Sequence, residues 1–280
     1  IEREPPKPEA PGSSPGRRAR TSEGANTVPF PPHGENCTNV GSFFLFRIEP
    51  APLGFDWVFI PGSRRERNTM ERFWEHSWKR VDPERVAGYV QSIDMAPDAL
   101  ISALHRHGVK TVCDAGCGCG AYAMKLAANG FSVCGFDVSS HAVEIVQTLL
   151  EKAALAAELK TAGILSTGYA DGTFDGVVCR DVLDHLPRAE AAAAVKELCR
   201  ITKPGGIVIF TLDPLDEEYR TEPHRVNADG DYVYTAGKWK GMVFHPYTAE
   251  TVRAIVPEGT RCEITGTSGE LTVLLRKNAE

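Results

Sequence analysis

The sequence predicts an α/β fold, a doubly wound sheet that is mostly parallel and ends on an antiparallel strand pair. Three observations carry that prediction. Short apolar runs at 111–114, 131–137, 174–179 and 206–212 alternate with helical patterns at 122–129, 140–159 and 189–201, and such alternation builds βαβ units with parallel strands. The turn Gly116-Cys117-Gly118-Cys119-Gly120 follows the first run directly, as where a Rossmann-like strand hands over to its helix. The final strand-like runs, 261–265 and 270–276, are separated only by Gly266-Thr267-Ser268-Gly269, and strands joined so closely pair antiparallel.

Upstream of this alternation the chain differs in kind. Pro5-Pro6-Lys7-Pro8 and Gly12-Ser13-Ser14-Pro15-Gly16-Arg17-Arg18 open residues 1–69, a composition that buries too little apolar area to offset chain entropy. The expectation is a disordered tail or a non-native extension, with translation starting at Met70, the first methionine in the sequence. Apolar stretches at 43–46 and 55–60 read as a strand or two, interrupted by Pro50, Pro52 and Pro61. The domain proper is expected over 70–280, with 70–108 as an N-terminal helical cap. Asp82-Pro83-Glu84 supplies an N-cap acid with proline at the first helical position, and Gly108 closes a helix begun near residue 96. A short helix is expected over 248–255. Residues 214–247 are too long for a plain connection and carry several aromatics, so an insertion covering the substrate is expected there.

Composition narrows the function classes. With 280 residues, 42% of them hydrophobic, the chain can bury one full α/β core and an appendage. A net charge of −6 without a basic stripe argues against a nucleic-acid partner. No apolar run approaches the roughly 20 residues of a membrane-spanning helix, and Ile1-Glu2-Arg3-Glu4 is unlike a secretory signal, so a cytoplasmic protein without a membrane partner is expected. The 8 cysteines are scattered through strand-like and turn-like segments, suiting reduced thiols used as small apolar groups. Cys113, Cys117 and Cys119 lack a second pair or a histidine at zinc-site spacing, and no metal is expected.

The chemistry-bearing residues gather around the glycine turn. Gly116, Gly118 and Ala121 also satisfy the dinucleotide pattern G-x-G-x-x-G/A, which leaves a nicotinamide-dependent oxidoreductase as an alternative. Asp114, two residues before the first glycine, discriminates: a pyrophosphate would meet a repelling carboxylate there, an ammonium group a partner. That favours a cofactor carrying an amino acid. Asp137, about 20 residues beyond the glycines, suits ribose hydroxyls in either cofactor.

Taken in order, Asp114-Ala115-Gly116-Cys117-Gly118-Cys119-Gly120, Gly135-Phe136-Asp137-Val138-Ser139, Asp171-Gly172-Thr173-Phe174-Asp175-Gly176-Val177-Val178-Cys179, Val182-Leu183-Asp184-His185-Leu186 and Lys203-Pro204-Gly205-Gly206 resemble the class I S-adenosylmethionine-dependent methyltransferases, in particular those acting on small molecules. The resemblance covers about 111–213. It implies that Asp114 and the Gly116-Cys117-Gly118 backbone hold the methionine part of S-adenosylmethionine, that Asp137 holds its ribose, and that Val138 flanks the adenine. Cys179 and Arg180 are implied to line the methionine end. The acid often found near the third strand is replaced by Ala162-Gly163-Ile164-Leu165-Ser166, leaving backbone groups or Ser166 for the adenine.

Methyl transfer needs mainly alignment of nucleophile, methyl and sulfur. A general base helps with a hydroxyl or amine acceptor, and His185 and then His245 are the candidates. His185 lies just past the fourth strand, where open α/β sheets place ligands; a packing histidine is the competing reading. Tyr234, His245 and Tyr247 are expected to reach the substrate from the insertion, or else to pin it to the sheet. Phe73, Trp74 and Trp78 would close the cofactor pocket or pack an amphipathic helix. The acceptor, at oxygen, nitrogen or carbon, is expected to be a small molecule. A non-catalytic S-adenosylmethionine-binding module is the second alternative.

Overall fold

Five parallel strands and three helices follow one another along the chain before the sheet changes direction. The computed structural model describes residues 64–92, 98–266 and 270–279; most of the expected tail, 1–63, and the turn 267–269 lie outside these. Helices α1 (Arg64–Lys79), α2 (Pro83–Ser92) and α3 (Asp98–Arg106) precede the sheet. α1 begins ahead of Met70, so the boundary expected at 69/70 falls inside a helix. Met70 is buried with Val233 and Val243, and its sulfur accepts the Val243 amide at 3.3 Å.

The core is the unit β1 (Thr111–Ala115), α4 (Ala121–Ala128), β2 (Ser132–Asp137), α5 (Ser140–Lys152), β3 (Glu158–Thr161), β4 (Phe174–Arg180), α6 (Arg188–Ile201) and β5 (Thr202–Leu212). After the insertion come α8 (Ala249–Arg253), β9 (Thr260–Thr265) and β10 (Leu271–Lys277). The strand order is β3-β2-β1-β4-β5-β10-β9. β1 to β5 are mutually parallel, and β10 runs antiparallel to both β5 and β9. Side-chain alternation along each strand splits the core into two layers. Cys113, Ala115, Val177 and Cys179 join the layer with Leu198 and Phe210, while Val112 and Val178 join Leu104, Leu126 and Val146 on the other face. Each buried Val, Leu or Phe contributes about 1.5–3 kcal/mol.

Two expected elements are corrected. The helix read over 140–159 ends at Lys152, because Ala154 takes φ 53°, a left-handed conformation that no helix continues through. Residues 158–161 instead form β3 on the free edge of β2, with Leu159 opposite Gly135. The leucine spacing continued a helical pattern, but ladder hydrogen bonds at the edge decided the conformation. The helix expected over 248–255 is also shorter, although Thr248 and Thr251 cap its start reciprocally.

Asp175 ties the lower end of the sheet together. Its Oδ2 accepts the Lys110 and Thr111 amides at 3.0 and 2.8 Å and the Thr111 hydroxyl at 2.9 Å, and its Oδ1 accepts Lys203 Nζ at 2.7 Å. Burial works to raise its pKa, but Lys203 and these donors outweigh it and hold the carboxyl well below the usual range.

The insertion folds as a separate small layer of α7 (Glu217–Thr221), β6 (His224–Val226), β7 (Tyr232–Tyr234) and β8 (Val243–Phe244), the three strands forming an antiparallel sheet. Tyr219 stacks on Phe244 at 4.0 Å and lies 4.7 Å from the Trp239 ring. Phe73 and Trp74 of α1 pack against this aromatic cluster.

Candidate functional site

Parallel strands deliver their carboxyl ends to one edge of the sheet, and the chain order reverses between β1 and β4, the crevice where open α/β sheets take ligands. The glycine turn lies there. Gly116 has φ 76° and Gly118 φ 47°. A Cβ on Gly116 would stand 2.5 Å from Val182, and one on Gly118 would stand 3.3 Å from the Trp78 ring. The amides of Gly116 and Cys117 both donate to the Phe136 carbonyl, at 2.8 and 2.9 Å, which locks the turn to β2.

Asp114 is 2% exposed, and its Oδ2 has no hydrogen-bond partner among the described residues. Burial raises its pKa to about 7, against the Ala123 amide that pulls it down and with Asp137 adding repulsion. An unmatched buried acceptor of this kind costs on the order of 1–3 kcal/mol, a cost that a cationic ligand would remove. Asp137 differs, since its Oδ2 accepts the Gly118 amide and its Oδ1 the Ser139 amide, each at 2.9 Å. Each oxygen keeps a second lone pair for a ligand hydroxyl. Burial raises its pKa too, with the Ser139 and Gly118 amides opposing.

The other expected cofactor residues are placed less directly. Val138 is half-buried just beyond β2. Cys117 and Cys179 turn their thiols into opposite apolar layers, so only their main chain is left for a ligand. Cys113 faces one layer, while Cys117 and Cys119 face the other. Arg180 is engaged with Asp181 at 2.5 Å, Glu270 at 3.1 Å and the Tyr122 hydroxyl. Ser166 is exposed, with its amide on Gly163 at 3.1 Å.

Sequence reasoning missed Glu75, the residue that seats α1 over this crevice. Its carboxylate accepts the Ser139 hydroxyl at 2.7 Å, the Ser140 hydroxyl at 3.2 Å and His141 Nδ1 at 2.9 Å. Burial acts to raise its pKa, yet Ser139, Lys79 and His141 bring it down to about 2 from 4.5. The stabilisation is therefore present above pH 4.5 and lost as pH falls towards 2. Glu75→Gln is expected to lower the melting temperature at pH 7, with the difference from the parent vanishing near pH 2 in paired thermal scans. The Lys79 partner four residues on is an ordinary helical pair, whereas the Ser139 and Ser140 partners that seat α1 lie more than sixty residues away and leave no local mark in the sequence.

Above β4 and β5 lies a second group. A 3-10 turn, Leu183–His185, follows β4, and Asp181 before it takes φ 51°, which aspartate tolerates better than most residues. Asp184, His185 and Asp213 are all buried. Asp184 Oδ2 accepts the Asp213 amide at 2.9 Å, whereas Asp184 Oδ1 and His185 Nε2 have no partner among the described residues. Burial carries Asp184 to about 8 and Asp213 to about 10, with neighbouring carboxylates adding to both. Burial depresses His185 to about 4, leaving a neutral imidazole at pH 7. Its Nδ1 lies 3.4 Å from the Val243 carbonyl, which places the proton on Nδ1. Trp74, Phe244 and Tyr219 surround the ring at 5.1, 5.8 and 6.3 Å.

The insertion residues split between the two expected roles. His245 Nδ1 is 2.8 Å from Asp231 Oδ1 in a buried pair, and its amide donates to the Asp184 carbonyl at 2.7 Å. Tyr234 donates its hydroxyl to the Tyr219 carbonyl at 2.9 Å. Both pin the insertion to the sheet and to itself. Tyr247 packs 4.6 Å from the His245 ring, and its buried hydroxyl has no partner among the described residues.

Known proteins are similar to this chain in sequence and in fold. Residues 112–206 match the family model of a methyltransferase domain. A ubiquinone biosynthesis O-methyltransferase of Thiobacillus denitrificans is 33% identical over 105 residues, covering 36% of this chain and 44% of its own length. A magnesium-protoporphyrin O-methyltransferase of Synechocystis is 32% identical over 123 residues, 44% of this chain and 53% of its own. The chain thus spans about half the length of these curated relatives. Among solved structures, a SAM-dependent methyltransferase from Methanosarcina mazei superimposes with TM-score 0.55 at 19% identity, covering 67% of this chain and 100% of the other. Magnesium protoporphyrin IX methyltransferase from Synechocystis with bound SAM does so with TM-score 0.53 at 19% identity, covering 78% and 100%. These likenesses show the fold. The nicotinamide alternative gains no support from these relatives. Among the described residues no helix is long and apolar enough to cross a membrane.

Proposed function

We propose that the chain, whose residues 112–206 match a methyltransferase-domain model, is a class I S-adenosylmethionine-dependent methyltransferase that methylates an oxygen of a small hydroxylated molecule. The observation that carries the reading is Asp114, a buried carboxylate with an unmatched oxygen at the head of a glycine turn. It suits the ammonium of the cofactor's amino acid, and the O-methyltransferase relatives support oxygen as the acceptor atom. When bound, S-adenosylmethionine supplies an electrophilic methyl whose C–S bond breaks, the electron pair staying on sulfur, as the oxygen–carbon bond forms and the hydroxyl proton is lost.

The chain's own residues bind and align. Asp114 takes the ammonium, the Gly116-Cys117-Gly118 backbone admits the amino-acid portion, Asp137 accepts the ribose hydroxyls and Val138 flanks the adenine. Trp78 closes the turn from above while Glu75 holds α1 in place. On the acceptor side Asp184, His185 and Asp213 form a polar floor beneath Trp74, Tyr219 and Phe244, which exclude water. His185 at pKa about 4 is too weak a base to deprotonate a phenol efficiently, so its part is to hold and orient. His245, Tyr234 and Tyr247 act as positioning residues that fix the insertion over this floor. Alignment of this kind accounts for about 7 kcal/mol of barrier in favourable cases.

The test is calorimetry of the full chain with S-adenosylmethionine, S-adenosylhomocysteine and NAD, followed by label transfer from the methyl group to a panel of phenols, amines and activated carbons. Binding of both adenosyl ligands with transfer to phenols is expected. His185→Gln should lower turnover about tenfold or more while leaving adenosyl-ligand affinity unchanged. Binding without transfer to any acceptor would establish the non-catalytic module instead.

A further inference from the structure

We propose that Asp184, His185 and Asp213 bind a primary ammonium group, so that the molecule taken here carries an amine besides its reacting hydroxyl. One oxygen or nitrogen of each side chain lies within 4.8 Å of those of the other two. Two of the residues present an atom with no partner among the described residues, Asp184 Oδ1 and His185 Nε2, and both are more than nine-tenths buried. His185 Nδ1 faces the Val243 carbonyl, which leaves Nε2 as an acceptor. Asp184 spends its other oxygen on the Asp213 amide, which leaves Oδ1 to accept as well. A ligand group between them must donate to several acceptors at once.

Spacing and charge select that donor. An alkylammonium carries three N–H groups on one tetrahedral nitrogen, and with charge-assisted bonds of about 2.8 Å its acceptors stand about 4.6 Å apart, inside the observed bound. A hydroxyl brings one donor and a quaternary ammonium none, while a guanidinium spreads its donors along a planar fork. Arg180 pairs with Asp181 and Glu270, whereas Asp184 and Asp213 form no ion pair among the described residues. Trp74, Phe244 and Tyr219 lie 5.1, 5.8 and 6.3 Å from the His185 ring. Such walls exclude water, which strengthens charged hydrogen bonds, and aromatic rings attract an alkylammonium over about 6 Å.

Binding is coupled to a proton. Burial first, then neighbouring carboxylates, carries Asp184 to about 8 and Asp213 to about 10. A cation between them favours their ionised forms, so an arriving ammonium drives a proton off. The charged groups facing the pair are Asp181 and Glu270 with their Arg180. The Tyr219 hydroxyl donates to Asp213 Oδ2 at 3.4 Å, and Tyr247 separates Asp184 from the Asp231–His245 pair. Ammonium binding stands on these side chains alone; that the amine belongs to the methyl acceptor rests on the methyl-transfer reading above.

The experiment titrates the full chain calorimetrically at pH 8 in chelator-containing buffer, with and without S-adenosylhomocysteine. The probes are tyramine against 4-propylphenol, which replaces the ammonium by a methyl group, and the shorter pair 4-aminomethylphenol against 4-ethylphenol. At least one amine is expected to bind about tenfold or more tighter than its uncharged counterpart, with an enthalpy that varies with buffer ionisation as a proton is released. Asp184→Asn and His185→Gln should each abolish the preference, and Glu270→Gln should leave it within about threefold. Circular dichroism establishes that each variant is folded. Equal affinity within both pairs, or a preference indifferent to both Asp184→Asn and His185→Gln, would overturn the ammonium site. An amine preference with those signatures but no methyl transfer to any acceptor would keep the site and sink the proposed reaction; methyl transfer to phenols without any preference for the amines would do the reverse.

Discussion

Asp114→Asn is expected to weaken S-adenosylmethionine and S-adenosylhomocysteine binding about ten- to hundredfold while making the ligand-free protein more stable at pH 8. A hydrogen bond to a charged partner contributes about 1.5–3 kcal/mol, and each 1.4 kcal/mol is a factor of ten in affinity. Removing the charge forfeits that contribution. The stability change has the opposite sign. Asp114 titrates near 7 in the fold against 3.8 as its ordinary value, chiefly because it is buried. Between those values the native state holds a proton that the unfolded chain has lost, so stability falls as pH rises from 4 to 7. The full penalty above pH 7 is on the order of 4 kcal/mol, and asparagine does not incur it. Thermal scans of the ligand-free pair should therefore converge near pH 4 and separate at pH 8, with the variant higher. In the parent, adenosyl-ligand affinity should rise as pH climbs through 7; in the variant it should stay flat. An Asp114→Asn protein that binds as tightly as the parent would remove Asp114 from the cofactor site.

Gly116→Ala is expected to destabilise the fold severely and to eliminate ligand binding. Two costs combine at this position. A side chain at φ 76° costs about 1–2 kcal/mol in the left-handed region, and its Cβ would meet Val182 Cγ2 at 2.5 Å, a further strain of about 1–3 kcal/mol if the neighbour must move. The costs are separable, because Val182→Ala removes the methyl groups that clash and leaves the backbone cost untouched. The double substitution should recover part of the lost stability in urea titrations and none of the tight turn's preference for glycine. Full recovery by Val182→Ala would mean that the backbone conformation is not constrained; no recovery would mean that the clash is relieved elsewhere.

The sheet was readable because its signals are local. Val112-Cys113 and Val177-Val178-Cys179 are short apolar runs with turns on both sides, and the pattern needs no distant partner to declare itself. β3 was not readable in the same way: Glu158-Leu159-Lys160-Thr161 is polar and short, and its pairing with β2 overrode a helical continuation. The residues proposed above for the cofactor were legible as positions, since Asp114, the glycines and Asp137 sit at fixed short offsets along β1 and β2. Glu75 and the triplet Asp184, His185 and Asp213 were only partly so. His185 stood out as a histidine past β4, but its neutral state and its two carboxylate neighbours depend on burial under Trp74, Tyr219 and Phe244.

By itself, then, the sequence determined the strand–helix alternation and the antiparallel C-terminal pair, because each depends on residue type and spacing within one segment. Only the tertiary structure decided where α1 ends up, that His245 is spent on Asp231 and Tyr234 on Tyr219, and that Asp184, His185 and Asp213 converge. Those outcomes depend on desolvation and on contacts between segments far apart in the chain, which lower dielectric and exclude water only once the layers have closed.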